Sequence, residues 1–396
     1  MQYMNDSVLR LKSILDVLDQ ALAGEFPYAE PKMALIALRI CIVDNLNDLN
    51  TLETLSEESQ RITCERADQV SKDISFLIGF LIRSTNVRNA FEWIWPFQEM
   101  CDKLFSHNPK KVVLSSEWNF IPFITTVAPY SNIPALSDFV FIGLPASESQ
   151  NPLIIPAAAH EVGHALWQTI FNEEIETSIK IAIENEIKKK GIPIDVDRDQ
   201  AHYDVHKQIQ EIFCDLIGLG LFGTGYLHTF HYFCPTAGKR IGSNLVRTPE
   251  YPSNNTRANQ MIEFCKDIDC TPPMNYLERY DDPYISGVFE RENYILFVDL
   301  VASDLFLSVR KHVKSLLEKQ NLLRGDRRDQ VSLILSAFAD DQPYHEPESI
   351  ADIVEAGWIA YLGRNKFSDK FHDLSNLVLK TIEIYEFNQR GQGMGS

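Results

Sequence analysis

The run His160-Glu161-Val162-Gly163-His164 places two imidazoles four residues apart. On a helix, positions i and i+4 share a face, so both rings can reach one metal ion. Zinc suits such a pair: it takes imidazole nitrogen and carboxylate oxygen and demands no particular d-electron geometry. Glu161, one step round the helix, can touch a zinc-held water without being a ligand. That water, its pKa drawn down to about 7, becomes a nucleophile, and the carboxylate can take its proton. Chance alone gives this five-residue pattern roughly 0.02 times in a chain of this length and composition. From Ser149 to Asn172 the only charged residue is Glu161. A carboxylate in so apolar a helix is costly unless a metal or another partner neutralises it, which disfavours the plainer alternative of two solvent-facing histidines.

A catalytic zinc needs a third protein ligand and an open position. Between Glu211 and Gly238 only Glu211 and Asp215 carry charge, and they lie four apart in an apolar segment. Buried carboxylates need partners. Zinc would satisfy Glu211, and Asp215 could accept the free ring N–H of a ligating histidine and fix its tautomer. The competing reading is a pair of buried acids held by Arg or backbone. His202 and His206 are also four apart on the same expected helix, but His202 lies roughly 180° round it from Glu211. With Asp197, Arg198, Asp199 and Lys207 around them, these two histidines read as surface residues. His228 and His231 read as core histidines, with lining of a substrate cleft as the alternative.

The pattern H-E-x-x-H followed on a later helix by E-x-x-x-D resembles the gluzincin metallopeptidases. Residue by residue, the resemblance implies zinc ligation by His160, His164 and Glu211, a general base at Glu161 and an outer-sphere acid at Asp215. It also implies that a strand such as Phe139 to Leu144 is the edge strand that pairs with extended substrate. Tyr251-Pro252-Ser253-Asn254-Asn255-Thr256-Arg257 is similar to the His-Pro-x-x-x-x-Arg segment of the CAAX-processing and heat-shock membrane metallopeptidases, with Tyr251 where His is usual. By this likeness Tyr251 would donate a hydrogen bond to a developing oxyanion, and Arg257 would pair with Asp215 or hold the substrate backbone. The resemblance covers roughly residues 138–260. It implies a zincin-like core, one zinc per chain and a protein or peptide substrate.

The elements that must position these residues follow from the patterning. Residues 7 to about 105 read as helices, with Leu9, Leu11, Leu15, Leu18 and Leu22 at helical spacing. The aromatic segment Phe91 to Phe97, interrupted by Pro96, reads as a core plug. Lys111–Leu114, Ile121–Val127 and Asp138–Pro145 read as strands. Helices are expected over 152–172, 173–190 and about 199–221, then over 285–321, 329–339, 347–362 and 368–387. The proline-bearing stretch beyond Gly223 reads as irregular. The expected fold is therefore mainly α with a small β-sheet (α+β). Its expected regions are N-terminal helices over 1–105, a catalytic core over 106–270, C-terminal helices over 271–390 and a frayed tail over 391–396.

Composition narrows the function classes. The 396 residues carry 37 Lys and Arg against 55 Asp and Glu, a net charge of −18, which repels phosphate backbones and argues against a nucleic-acid partner. No run of 18 uncharged apolar residues occurs, so no membrane span is expected. The seven cysteines include no C-x-x-C pair and read as buried thiols of a reducing compartment. Met1 to Asp6 has neither a basic nor an apolar signal region, which points to the cytoplasm. Two readings stand beside a peptidase. One is a latent or degenerate metal-binding scaffold with a regulatory protein partner, and the other is a helical protein whose motif is coincidental.

Overall fold

The computed structural model describes residues 2–51, 56–83, 92–117, 123–126, 133–170, 173–190, 197–233, 248–280, 289–325, 327–363 and 370–393. It is mainly helical with one small sheet, as the patterning predicts. The chain divides into two compact units, Met1–Phe91 with Phe105–Gln150, and Glu92–Leu104 with Asn151–Ser396. This differs from the three expected regions. The strands share a core with the N-terminal helices, and the chain crosses between units at 91/92, 104/105 and 150/151, so the C-terminal helices belong to the same unit as the motif helices.

In the first unit, helices α1 (Gln2–Leu22), α2 (Ala29–Asn50) and α3 (Glu57–Arg83) turn their apolar stripes inward. Leu11 and Leu18, Leu35 and Leu38, and Ile74 and Leu77 close a core with Val113 and Phe141. The sheet comprises β1 (Lys111–Glu117), β2 (Phe123–Thr126) and β3 (Phe139–Pro145) in the order β1-β3-β2. β1 runs parallel to β3 and β2 antiparallel to it. The expected edge strand is therefore the central strand: Val140 to Gly143 are paired on both sides, leaving no free backbone row for a substrate. Of the second expected strand, 121–122 and 127 lie outside the described residues.

The second unit holds α4 (Ile94–Leu104), α5 (Ile155–Ile170), α6 (Glu173–Lys190), α7 (Arg198–Phe222), α8 (Thr224–Phe233) and α9 (Asn254–Asp267). It continues through α10 (Phe289–Lys319), α11 (Arg328–Ala339), α12 (Ile350–Leu362) and α13 (Phe371–Gly393). Trp93 and Phe97 are buried edge to face, as expected of a core plug. Two helices in the stretch expected to be irregular are new. Only Gly223, at φ 55°, separates α7 from α8, because a left-handed residue reverses the chain without a long loop. α9 starts at Ser253, whose hydroxyl accepts the Thr256 N–H. The expected tail from 391 is helical as far as Gly393, with 394–396 outside the described residues. Among the described residues no helix is long and apolar enough to cross a membrane.

Helices α5 and α7 are largely enclosed. The side chain of Asn151 accepts the Leu153 N–H and starts the single 3₁₀ turn that leads into α5. α5 is buried on nearly every side, and in α7 every residue from Gln208 to Phe222 is buried. Helices apolar all round belong inside a core. They cross at Gly163, where an added Cβ would lie 2.8 Å from the Cys214 Cα and 3.1 Å from its Sγ. Gly163→Ala is therefore expected to destabilise the protein by about 1–3 kcal/mol in urea unfolding. Gly79→Ala, whose Cβ would meet only the end of Arg83 at 3.5 Å, is expected to leave stability unchanged or raise it by about 0.5–1 kcal/mol.

Candidate metal centre

The crossing of α5 and α7 brings together residues fifty positions apart. His160 Nε2 lies 3.6 Å from Glu211 Oε2, and His164 Nε2 lies 3.6 Å from Glu211 Oε1. Tetrahedral zinc with bonds of about 2.0–2.1 Å holds its ligand atoms about 3.4 Å apart, close to the distance from each imidazole to its own Glu211 oxygen. The two imidazoles meet edge to face at 5.0 Å. Glu161 is buried on the same helix, and its carboxylate acts electrostatically on His160.

A second layer fixes His160. Its Nδ1 is 3.0 Å from Asp215 Oδ1 and 3.0 Å from the Tyr226 hydroxyl, which itself donates to Asp215 Oδ1 at 2.6 Å. A proton on Nδ1 facing Asp215 leaves the Nε2 lone pair directed at Glu211, the tautomer a metal ligand requires. Arg257, from α9, closes the network. Its Nε donates to Asp215 Oδ2 and a terminal nitrogen to Oδ1, both at 2.7 Å, and that nitrogen is 3.4 Å from Glu211. The guanidinium also covers the Phe230 ring at 4.9 Å. Of the two roles expected for Arg257, pairing with Asp215 is the one observed.

The electrostatics follow from burial and these partners. Burial disfavours the Asp215 carboxylate, but Arg257 and His160 outweigh it and hold the group well below the ordinary range. Burial likewise works against a charged His160, yet Asp215, Glu211 and Glu161 together raise it above its ordinary value. His164 is pushed well down by burial, with His160, Arg257 and Lys207 adding to the effect. One of two adjacent imidazoles is thus drawn toward charge and the other away from it.

Cys214 is the nearest rival to Glu211. The donor atoms of His160, His164 and Cys214 all lie within 4.8 Å of one another, and among the described residues this is the one group of three at that spacing. A thiol ligates as thiolate. Burial, and after it Glu211, Asp215 and Glu161, push the Cys214 thiol well above its ordinary value. A bound metal would itself deprotonate that thiol, so Glu211, which offers one oxygen to each imidazole, and Cys214, which packs beneath Gly163, are the two candidates for a third position.

The remaining candidates separate clearly. Tyr251 is 52 % exposed on the turn before α9, and burial of its inner part, with Glu211 beyond it, raises its phenol. His202 and His206 are half-buried rather than superficial. His206 Nε2 accepts the Trp167 indole N–H at 2.8 Å, tying α7 to α5, and burial lowers its pKa to about 4. Neither joins the metal cluster found among the described residues. His228 is buried against Trp358, as expected of a core histidine. Tyr226 is the functional residue that sequence reasoning passed over, since a tyrosine in an aromatic run reads as packing.

No family model matches the chain, and the curated proteins and solved structures give no match either. The likeness to gluzincins rests on the residues and spacings above. Glu211→Ala is expected to lose zinc, and Cys214→Ala to retain about one ion per chain by elemental analysis. Tyr226→Phe is expected to keep the fold by circular dichroism and weaken zinc about tenfold in a chelator competition.

Proposed function

We propose that the protein is a zinc-dependent metallopeptidase of gluzincin type that hydrolyses peptide bonds in a protein or peptide substrate. The observation that carries this reading is the placement of two imidazole nitrogens 3.6 Å from the two oxygens of one carboxylate, with buried Glu161 next to the first histidine. Zinc, when held by His160, His164 and Glu211, supplies Lewis acidity toward a substrate carbonyl and acidifies water.

The chain's own residues do the rest. Glu161 accepts a proton from the attacking water and delivers it to the leaving amine as the C–N bond breaks and the new C–O bond forms. Tyr251 donates to the oxyanion that develops on the carbonyl. Asp215 and Tyr226 hold His160 in its ligating tautomer, and Arg257 keeps Asp215 anionic. The His160 and His164 side chains are only 12 % and 16 % exposed, which supports narrow specificity or access regulated by a protein partner. A reducing, cytoplasmic setting agrees with the free thiols of the described cysteines.

Glu161→Gln is expected to lower cleavage of denatured casein about 10²- to 10⁴-fold while zinc content stays near one per chain. A chelator is expected to abolish wild-type cleavage. In cells, new protein termini are expected with the wild type and not with the variant. Undiminished cleavage by the variant would refute the base. Zinc without cleavage of casein or any cellular protein would favour a latent metal-binding scaffold.

A further inference from the structure

Lys207 lies one helical turn before Glu211 on α7, on the same side of the helix. The lysines at 103, 180, 266 and 380 each pair with a glutamate three or four residues away. Lys207 has acids at both such distances, Asp204 and Glu211, yet pairs with neither. Asp204 is buried and already accepts from Tyr294 and Gln200, at 2.6 and 3.0 Å. Glu211 faces the two motif histidines.

The ammonium instead meets neutral groups. It donates to Gln210 Oε1 at 3.2 Å and stands 5.8 Å from the centre of the Tyr203 ring. Among the described residues no carboxylate pairs with it, in a chain with 55 acids and 37 bases. Its charge acts on His164, and that of Tyr203 on Tyr251, both of whose phenols are exposed, so Lys207 shares the electrostatic neighbourhood of the candidate ligands. A half-buried ammonium with only neutral partners retains its capacity for a charge-assisted hydrogen bond to an incoming carboxylate.

We propose that Lys207 is a specificity residue that receives a carboxylate of the bound peptide, so that the site selects acidic substrates. This rests on the peptidase reading. The four-residue step from Lys207 to Glu211 is about 6 Å along the axis. An extended peptide covers about 3.5 Å per residue, which puts the recognised carboxylate within about two residues of the scissile bond. That carboxylate belongs either to an Asp or Glu side chain or to the peptide's own C-terminus.

The test uses binding, so it does not depend on turnover. Zinc-loaded Glu161→Gln protein is immobilised and challenged with two synthetic random octapeptide libraries, one C-terminally amidated and one with a free carboxylate. The same is done with Glu161→Gln combined with Lys207→Met or with Lys207→Glu, zinc content and circular dichroism serving as fold controls. Retained peptides from the amidated library are expected to be enriched about tenfold in Asp and Glu, the scale of one hydrogen bond to a charged group. A C-terminal carboxylate as the recognised group would instead give retention from the free library alone. Lys207→Met is expected to erase the preference and Lys207→Glu to reverse it toward Lys and Arg. Peptides retained without acidic preference, or with a preference that Lys207→Glu leaves intact, would overturn the proposal and leave the peptidase reading standing. Retention of no peptide, together with no cleavage by the wild type, would remove both.

Discussion

Charge inside an apolar helix crossing is the constraint on which this structure turns. Glu161, Glu211 and Asp215 are all buried where α5 meets α7, and Arg257 is the guanidinium that pairs with two of them. Among these four groups two negative charges remain. Ions moved out of water are expensive unless their partners recover the cost, and a missing partner is worse than none of them being present. The raised His160 is what the chain itself does about the excess: it draws a proton toward the carboxylates. On the proposed reading, a divalent cation between His160, His164 and Glu211 would offset that excess.

The fold serves this point from four directions. α5 supplies the histidines and Glu161, and it can approach α7 closely because Gly163 has no side chain to meet Cys214. α7 supplies Glu211 and Asp215 on one face. The reversal at Gly223 turns α8 back so that Tyr226 reaches Asp215 and His160. α9, capped by Ser253, aims Arg257 at Asp215 from outside. The tautomer of one imidazole is thus set by a chain of contacts from Arg257 through Asp215.

Much of the centre was legible in the sequence because isolated charge in apolar surroundings is a strong signal. Glu161, Glu211 and Asp215 stood out for that reason, and the i, i+4 spacing of the histidines located the face. Arg257 was legible only as one of two roles. Tyr226 was hidden, since a buried phenol and a merely packed aromatic look alike until its hydroxyl finds a partner. α8 and α9 were missed because glycine and proline density outweighed the Ser253 cap. His206 looked superficial among charged neighbours, yet tertiary packing against Trp167 buried it. The pairing of Phe139–Pro145 was likewise beyond reach, because strand order is a long-range property that local alternation does not encode.

X-ray absorption at the zinc edge of the metal-loaded protein tests the central claim most directly. The account predicts one zinc per chain with nitrogen and oxygen neighbours at about 2.0–2.2 Å, including the signature of two imidazoles. A sulfur neighbour at about 2.3 Å would put Cys214 in the place given to Glu211 and contradict it. So would a protein that retains no zinc at all.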